Sequence, residues 1–357
     1  MPELQQILDL WTRAAAAGDE VCLATIVGIE GSAYRRPGAR LLLTAAGGRA
    51  GTVSGGCLEG EIAKKAWWLT ARGPSLQRYS SFFDDDGDMP YGLGCGGTVI
   101  VLLERGDAAA AVLEALRRSV VERKASAIVT ATDAQAPGTL AIVSEDGGIA
   151  WQRGGSERAM ALAEEALKTR ASRRKDATPG AACGGLFAEY VAPPPALWVF
   201  GAGDDAQPLV EFTAALGWHV TVADGRGNLA RAERFPQAAR VMSLGNALGG
   251  PGADDAAVTL THSYPQDREV LRALLPLGLK YLGILGPRRR TERLAAEIAP
   301  EIGLTVEECL GRLHAPVGLD LGGHTPAAIA LSIAAELQAV LAGRGAKKLS
   351  VARLIHA

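Results

Sequence analysis

The chain is poor in cysteine, carries almost no net charge and lacks any long apolar run, and each shortage excludes a class of protein. Five cysteines in 357 residues, without regular spacing, make no disulfide framework and suit a reducing cytosol. They are also too few, and wrongly spaced, for iron–sulfur clusters of the ferredoxin type. Thirty-seven Lys and Arg against 39 Asp and Glu leave a net charge of −2, so a nucleic-acid partner is not expected. No apolar stretch approaches the length of a membrane span. The start, Met1-Pro2-Glu3-Leu4, is acidic and amphipathic rather than the basic opening of a secretory signal. The expectation is a cytoplasmic protein with no membrane partner. With 48% hydrophobic and 21% charged residues, the composition is that of an ordinary globular chain long enough for two domains.

What is there is glycine placed around cysteine. Ser54-Gly55-Gly56-Cys57-Leu58-Glu59-Gly60 comes early, and Gly92-Leu93-Gly94-Cys95-Gly96-Gly97 follows. Glycine has no side chain to keep a ligand from the backbone. Before these loops, the spacing of Leu4, Ile7, Leu8 and Trp11 predicts an amphipathic helix. Val21 to Ile29 reads as a buried strand and Arg40 to Thr44 as a second. Between them runs the loop Gly31-Ser32-Ala33-Tyr34-Arg35-Arg36-Pro37-Gly38. Helices are expected over 59–70, 108–122 and 156–169, with strands among them, giving an α+β domain over 1–192.

Pro193-Pro194-Pro195 ends that pattern, because proline cannot continue a helix or a central strand. From 193 to 357 strands and helices alternate: strands at 197–201, 219–224, 256–261 and 280–285, helices at 206–216, 266–275 and 289–298. Such alternation means a Rossmann-like, doubly wound parallel sheet. A final helix begins with Thr325 as N-cap and Pro326 in its first turn. The fold class is therefore α/β, an N-terminal α+β domain followed by the Rossmann-like one.

The chemistry-bearing residues fall into two groups. Cys57 precedes a helix, whose N-terminal N–H groups and dipole favour a thiolate. Cys95 is flanked by glycines on both sides. Two thiolates close in space bind a soft metal or exchange sulfur, although a small cysteine in a tight turn is also a common core residue. Gly55, Gly56, Gly96 and Gly97, with Arg35 and Arg36, complete this candidate cofactor site, with Cys57 and Cys95 as metal ligands. In the second half, Gly201-Ala202-Gly203 follows a strand and opens a helix, and Asp224 lies about 20 residues on, where a ribose-binding acid belongs. Asp204 and Asp205, however, put carboxylates where a pyrophosphate would sit. His262 stands at a strand end, the place where ligands line such sheets. Gly286-Pro287-Arg288 opens a helix and suits a phosphate, or is a solvated basic turn. His314 and His324, and the acidic run Asp84-Asp85-Asp86-Gly87-Asp88, read as structure and solvated loop. No general acid, base or nucleophile for catalysis is singled out.

These segments in this order resemble the XdhC/CoxI family, accessory factors of xanthine dehydrogenase and related molybdenum hydroxylases. The resemblance rests on 31–38, Gly55-Gly56-Cys57-Leu58-Glu59-Gly60 and Cys95-Gly96-Gly97. In the second half it rests on Phe200-Gly201-Ala202-Gly203, Thr261-His262, Gly283-Ile284-Leu285-Gly286-Pro287-Arg288-Arg289 and Pro316-Val317-Gly318-Leu319-Asp320-Leu321. It covers nearly the whole chain, which departs from many members in having Asp204 where they have His. The resemblance implies a homodimeric chaperone that binds molybdenum cofactor (molybdopterin), protects its sulfurated form and inserts it into the hydroxylase. It also implies a cysteine desulfurase partner. A hydroxylase itself would need a large molybdopterin domain for which this chain is too short. Two other readings stay open: an NAD(P)-dependent oxidoreductase using Gly201, Gly203, Asp224 and His262, and a cofactor-free scaffold between desulfurase and hydroxylase.

Overall fold

The computed structural model describes residues 2–56, 58–80, 97–133, 135–154, 157–176, 185–348 and 350. It divides into two compact units, Glu3–Pro194, and Pro195–Ala357 with Met1–Pro2.

The first unit is built on two antiparallel sheets of five strands each. Its elements run α1 (Glu3–Ala17), β1 (Val21–Gly31), β2 (Arg40–Thr44), β3 (Arg49–Gly51), α2 (Glu59–Leu69), β4 (Ser75–Ser80) and β5 (Gly97–Arg105). They continue with α3 (Gly106–Val121), β6 (Ser126–Ala131), β7 (Gly138–Ser144), β8 (Ile149–Gln152), α4 (Glu157–Thr169), β9 (Arg173–Lys175) and β10 (Leu186–Val191). The first sheet has the order β3-β2-β1-β5-β4 and the second β8-β7-β6-β10-β9. The sequence pattern alone shows one α+β domain of mixed order here. Two sheets form because β1 and β6 are apolar on both faces, and each must be covered twice.

The coverage follows from period-two alternation. Cys22, Ala24 and Ile26 of β1 face Leu58, Ile62 and Ala66 of the α2 segment. Leu23 and Leu42 turn the other way, onto Ile7 and Leu8 of α1 and Val112 and Leu116 of α3, which also meet Ile128 and Ile142 of the second sheet. The far face of that sheet, with Ala127, Val129 and Ala188, is closed by Leu162, Ala163 and Ala166 of α4. The layers are thus α2, sheet, α1 with α3, sheet, α4.

The second unit contains β11 (Ala196–Phe200), α5 (Ala206–Ala215), β12 (His219–Asp224), β13 (Arg240–Ser243), α6 (Leu244–Ala247), β14 (Ala256–Thr259) and α7 (Tyr264–Leu274). It closes with β15 (Tyr281–Ile284), α8 (Arg288–Ile302), α9 (Val306–Gly311) and α10 (Pro326–Leu341). The sheet is parallel throughout, in the order β13-β12-β11-β14-β15. Strand order reverses between β11 and β14, so the crevice at their carboxyl ends is the place where such sheets take ligands. One face packs on α5 and α10 through Leu209, Val210, Ile333 and Leu337. The other packs on α7 and α8 through Val270, Leu271, Leu294 and Ile298. Thr325 caps α10, accepting the Ala328 N–H.

Candidate functional site

In the first unit a cleft of about 480 Å³ is lined by Glu3, Gln6, Arg35, Arg49, Thr52, Gly56 and Glu59, among others. That is within the usual size of a small-molecule site, on the order of 300–1,000 Å³. The glycine turn on its rim is held from below by one carboxylate. Glu59 is only 5% exposed. Its Oε1 accepts the N–H groups of Val53 at 3.0 Å and Ser54 at 2.8 Å, and its Oε2 accepts the Ser54 hydroxyl at 2.5 Å. The Ser54 oxygen in turn accepts the N–H groups of Gly56 at 3.2 Å and Leu58 at 3.0 Å. Burial alone would raise the Glu59 pKa, but the bonds from Ser54 and Val53 outweigh it and hold the carboxyl below its ordinary value. Gly56 has φ +117° and open space where a side chain would project. Both facts favour glycine and leave the backbone approachable.

Cys57 stands between Gly56 and Leu58 in the sequence but outside the described residues. Cys95, Gly96, Cys183 and the acidic run 84–88 lie outside them as well. Among the described residues no cluster of His, Cys, Asp and Glu is arranged for a metal ion. Gly97, at the start of β5, pairs with Gly31. A Cβ there would sit 2.2 Å from the Ser32 carbonyl oxygen, so this glycine is needed for strand contact. Gly55 is exposed beside Gly56. Arg35 reaches the cleft and pairs with Glu3, whereas Arg36 is exposed. Arg40, close to the cysteine turn in sequence, is buried and makes a two-point ion pair with Glu189 of the other sheet. Its charge is neutralised there.

Glu3, Arg49 and Thr52 are cleft residues without a signal in the sequence, since strand β3 is too short to show a period. Glu59 has a readable signal: a carboxylate in the first turn of a helix that reaches back to preceding N–H groups.

In the second unit the crevice between β11 and β14 is laced with ion pairs. Gly201 has φ +119°, and a Cβ there would lie 2.4 Å from the Leu260 carbonyl oxygen. Asp224 is 1% exposed. It accepts the Ala202 N–H at 2.8 Å, the Arg226 N–H at 2.8 Å, and the Arg226 guanidinium at 2.8 and 3.0 Å. Burial pushes its pKa up, and the Arg226 and backbone bonds push it further down, so the carboxyl lies below its ordinary value. Both oxygens that a ribose would use are engaged. Gly203 lies next to the acid pair. Asp204 pairs with Arg234 at 2.6 Å, and Asp205 pairs with His262 Nε2 at 2.7 Å. Neither caps α5: its N-cap is Asp205, whose side chain makes no capping bond.

His262 is exposed and has φ +54°, a conformation costly for a residue other than glycine. Its turn is braced on both sides. Thr259 and Thr261 hydroxyls donate to buried Asp267 at 2.6 and 2.5 Å, Arg290 pairs with that same carboxylate, and Arg226 donates to the Thr261 carbonyl at 3.2 Å. Arg288 is not part of this crevice network: it lies exposed along α8, paired with Glu292 at 2.9 Å. Among the described residues no helix is long and apolar enough to cross a membrane.

Comparison with known proteins finds a family match within each of the two units. Residues 14–80 match the model of the XdhC and CoxI family, and residues 197–337 match the XdhC Rossmann domain. A Bacillus subtilis protein named as a probable xanthine dehydrogenase subunit is 30% identical over 89% of this chain and 92% of its own. The Escherichia coli molybdenum cofactor insertion chaperone PaoD is 26% identical over 94% of this chain and 87% of its own. The crystal structure of a xanthine dehydrogenase from Bacillus halodurans superposes with a TM-score of 0.76 at 27% identity, covering 99% of this chain and 98% of that one. A relative of such identity, matched nearly end to end, and family domains matched in both halves place this chain in the XdhC/CoxI family.

Proposed function

We propose that this chain is a carrier of molybdenum cofactor, which it shields in sulfurated form and delivers to a xanthine dehydrogenase-type hydroxylase. Family membership and the name of the Escherichia coli relative, a molybdenum cofactor insertion chaperone, support a maturation role. The observation that carries the reading is the cleft beside the cysteine turn. Glu59 and Ser54 fix the backbone on both sides of Cys57, and Arg35 and Arg49 line the same cleft. This donor set fits the cargo. A thiolate is a soft partner for a molybdenum–sulfur centre, and guanidinium groups suit the phosphate of the pterin. Cys57 and Cys95 are assigned to the metal end. The desulfurase and a second copy of the chain are proposed as partners on the family resemblance.

The test is retention. Purified chain is incubated with molybdenum cofactor and passed through a desalting column, and molybdenum and pterin are measured in the protein fraction. Retention by the parent, with loss in Cys57→Ala and Cys95→Ala, is expected. Equal retention by these variants, with undiminished activation of the hydroxylase, overturns the cysteine assignment. No retention by the parent leaves a cofactor-free scaffold as the better account.

A further inference from the structure

We propose that the anion site around Thr52, filled in this structure by the chain's own Glu3 carboxylate, is a phosphate-monoester subsite, and that Glu3 is a built-in competitor which a ligand phosphate displaces. This rests on the cleft being the cargo site.

Glu3 opens α1 and folds onto the cleft. Its Oε1 accepts the Thr52 N–H at 2.8 Å and the Thr52 hydroxyl at 3.1 Å. Its Oε2 takes the Arg35 guanidinium. A backbone N–H, a hydroxyl and a guanidinium converging on one anion are the donors with which proteins hold phosphate. Here they converge on a side chain from a distant part of the sequence, at the wall of a cleft of about 480 Å³.

The charges favour a dianion over a carboxylate. Arg49, on β3, lines the same cleft and makes no ion pair with any described residue. Arg35 keeps a buried Nε–H without a hydrogen-bond partner. Glu59, the other acid of the cleft, is already engaged by Val53 and Ser54. Glu3 therefore answers one guanidinium and leaves a second unanswered, whereas a phosphate monoester carries enough charge and enough acceptor oxygens for both. Exchange is easy, since the side chains of Glu3 and Arg35 are 37% and 28% exposed and ion pairs so open to water hold weakly. The rest of the cleft, ending at Gly56, has room for the organic body attached to the phosphate.

The experiment titrates the full chain with inorganic phosphate and with a pterin phosphate monoester, by calorimetry and by the shift of the Thr52 amide resonance. Parent, Glu3→Gln and Arg49→Gln proteins are compared. Glu3→Gln is expected to bind the monoester about tenfold more tightly than the parent, and Arg49→Gln about tenfold more weakly. Unchanged or weakened binding by Glu3→Gln, or unchanged binding by Arg49→Gln, overturns the subsite. Arg49 is exposed, so its variant remains decisive if the Glu3 change loosens α1. Failure of the cargo reading looks different: the monoester still binds with these rankings while molybdenum cofactor is not retained. Cofactor retained equally by all three proteins removes the subsite and leaves the cargo reading intact.

Discussion

The Ser54 hydroxyl donates to Glu59 at 2.5 Å and accepts the N–H groups on either side of Cys57, those of Gly56 and Leu58. One carboxylate thus organises the whole glycine turn. Glu59→Gln removes the charge and turns a donor toward groups that are themselves donors. An orphaned buried partner of this kind costs about 1–3 kcal/mol. The loss is expected in urea unfolding, together with faster amide exchange at Gly56 and Leu58. The acid side follows from the lowered pKa. Glu59 contributes its stability in full above its unfolded value of about 4.3, and that contribution falls away as pH drops through the lower folded value. Glu59→Gln should flatten the parent's acid limb, and an unaltered limb would show the carboxylate to be incidental.

Arg40 and Glu189 tie the two sheets of the first unit together. Their side chains are 6% and 13% exposed and meet in a two-point pair, with Arg40 also donating to the Gly38 carbonyl at 2.8 Å. Arg40→Met strands a buried carboxylate and is expected to cost about 3–5 kcal/mol, while the double change Arg40→Met with Glu189→Leu recovers most of it. The measurement is a double-mutant cycle in urea. If the double variant is no better than the single one, the pair is not what holds Glu189 in place.

Gly201→Ala meets two obstacles at once. At φ +119° an alanine is strained, by about 1–3 kcal/mol. Its Cβ would also press on main-chain atoms of Leu260, which follows directly on β14. A cooperative drop in thermal midpoint is expected, whether or not any ligand is present. The same crevice predicts no saturable rise in NADH fluorescence, because Asp224 is engaged by Ala202 and Arg226. A saturable rise would return the oxidoreductase reading.

Strands β11, β12, β14 and β15 of the second unit, with the longer helices between them, are legible in the sequence because buried parallel strands are continuous apolar runs. The edge strand β13, which has no buried residue, and the four-residue α6 after it show no such pattern. Asp224, at the end of β12, falls where the motif puts it. Its engagement is not legible: nothing in the spacing says that Arg226, two residues on, turns back onto the carboxylate. In the first unit β1, β2 and α2 can be read, but β3 and β9 are three residues each, too short to show alternation. The partner of Glu3 lies 49 residues away at Thr52, and no local pattern reveals such a contact. In the sequence Asp204 and Asp205 form one negative cluster, whereas in the fold Arg234 and His262 each take one of them.

Glu336 on α10 gathers three donors: the Tyr281 hydroxyl at 2.6 Å, the Gly318 N–H at 2.7 Å and His314 Nδ1 at 3.0 Å. Tyr281 also stacks on His314, ring centroids 4.1 Å apart. The Pro316–Leu321 segment is thereby clamped to the sheet, a structural duty. Two titrations report on it with opposite signs. Burial raises the Glu336 pKa, but the bonds from Tyr281, Gly318 and His314 lower it more, so its stabilisation is lost as pH falls below about 4. Burial and then Glu336 raise the Tyr281 pKa. The unfolded phenol ionises near pH 10 while the folded one does not, so stability also declines as pH rises past about 10. Tyr281→Phe should remove part of the alkaline decline and cost about 0.5–1.5 kcal/mol near neutrality. Glu336→Gln should remove part of the acid decline. A Tyr281→Phe protein whose alkaline decline matches the parent's would mean that the phenol titrates freely and that the clamp is held by Gly318 and His314 alone.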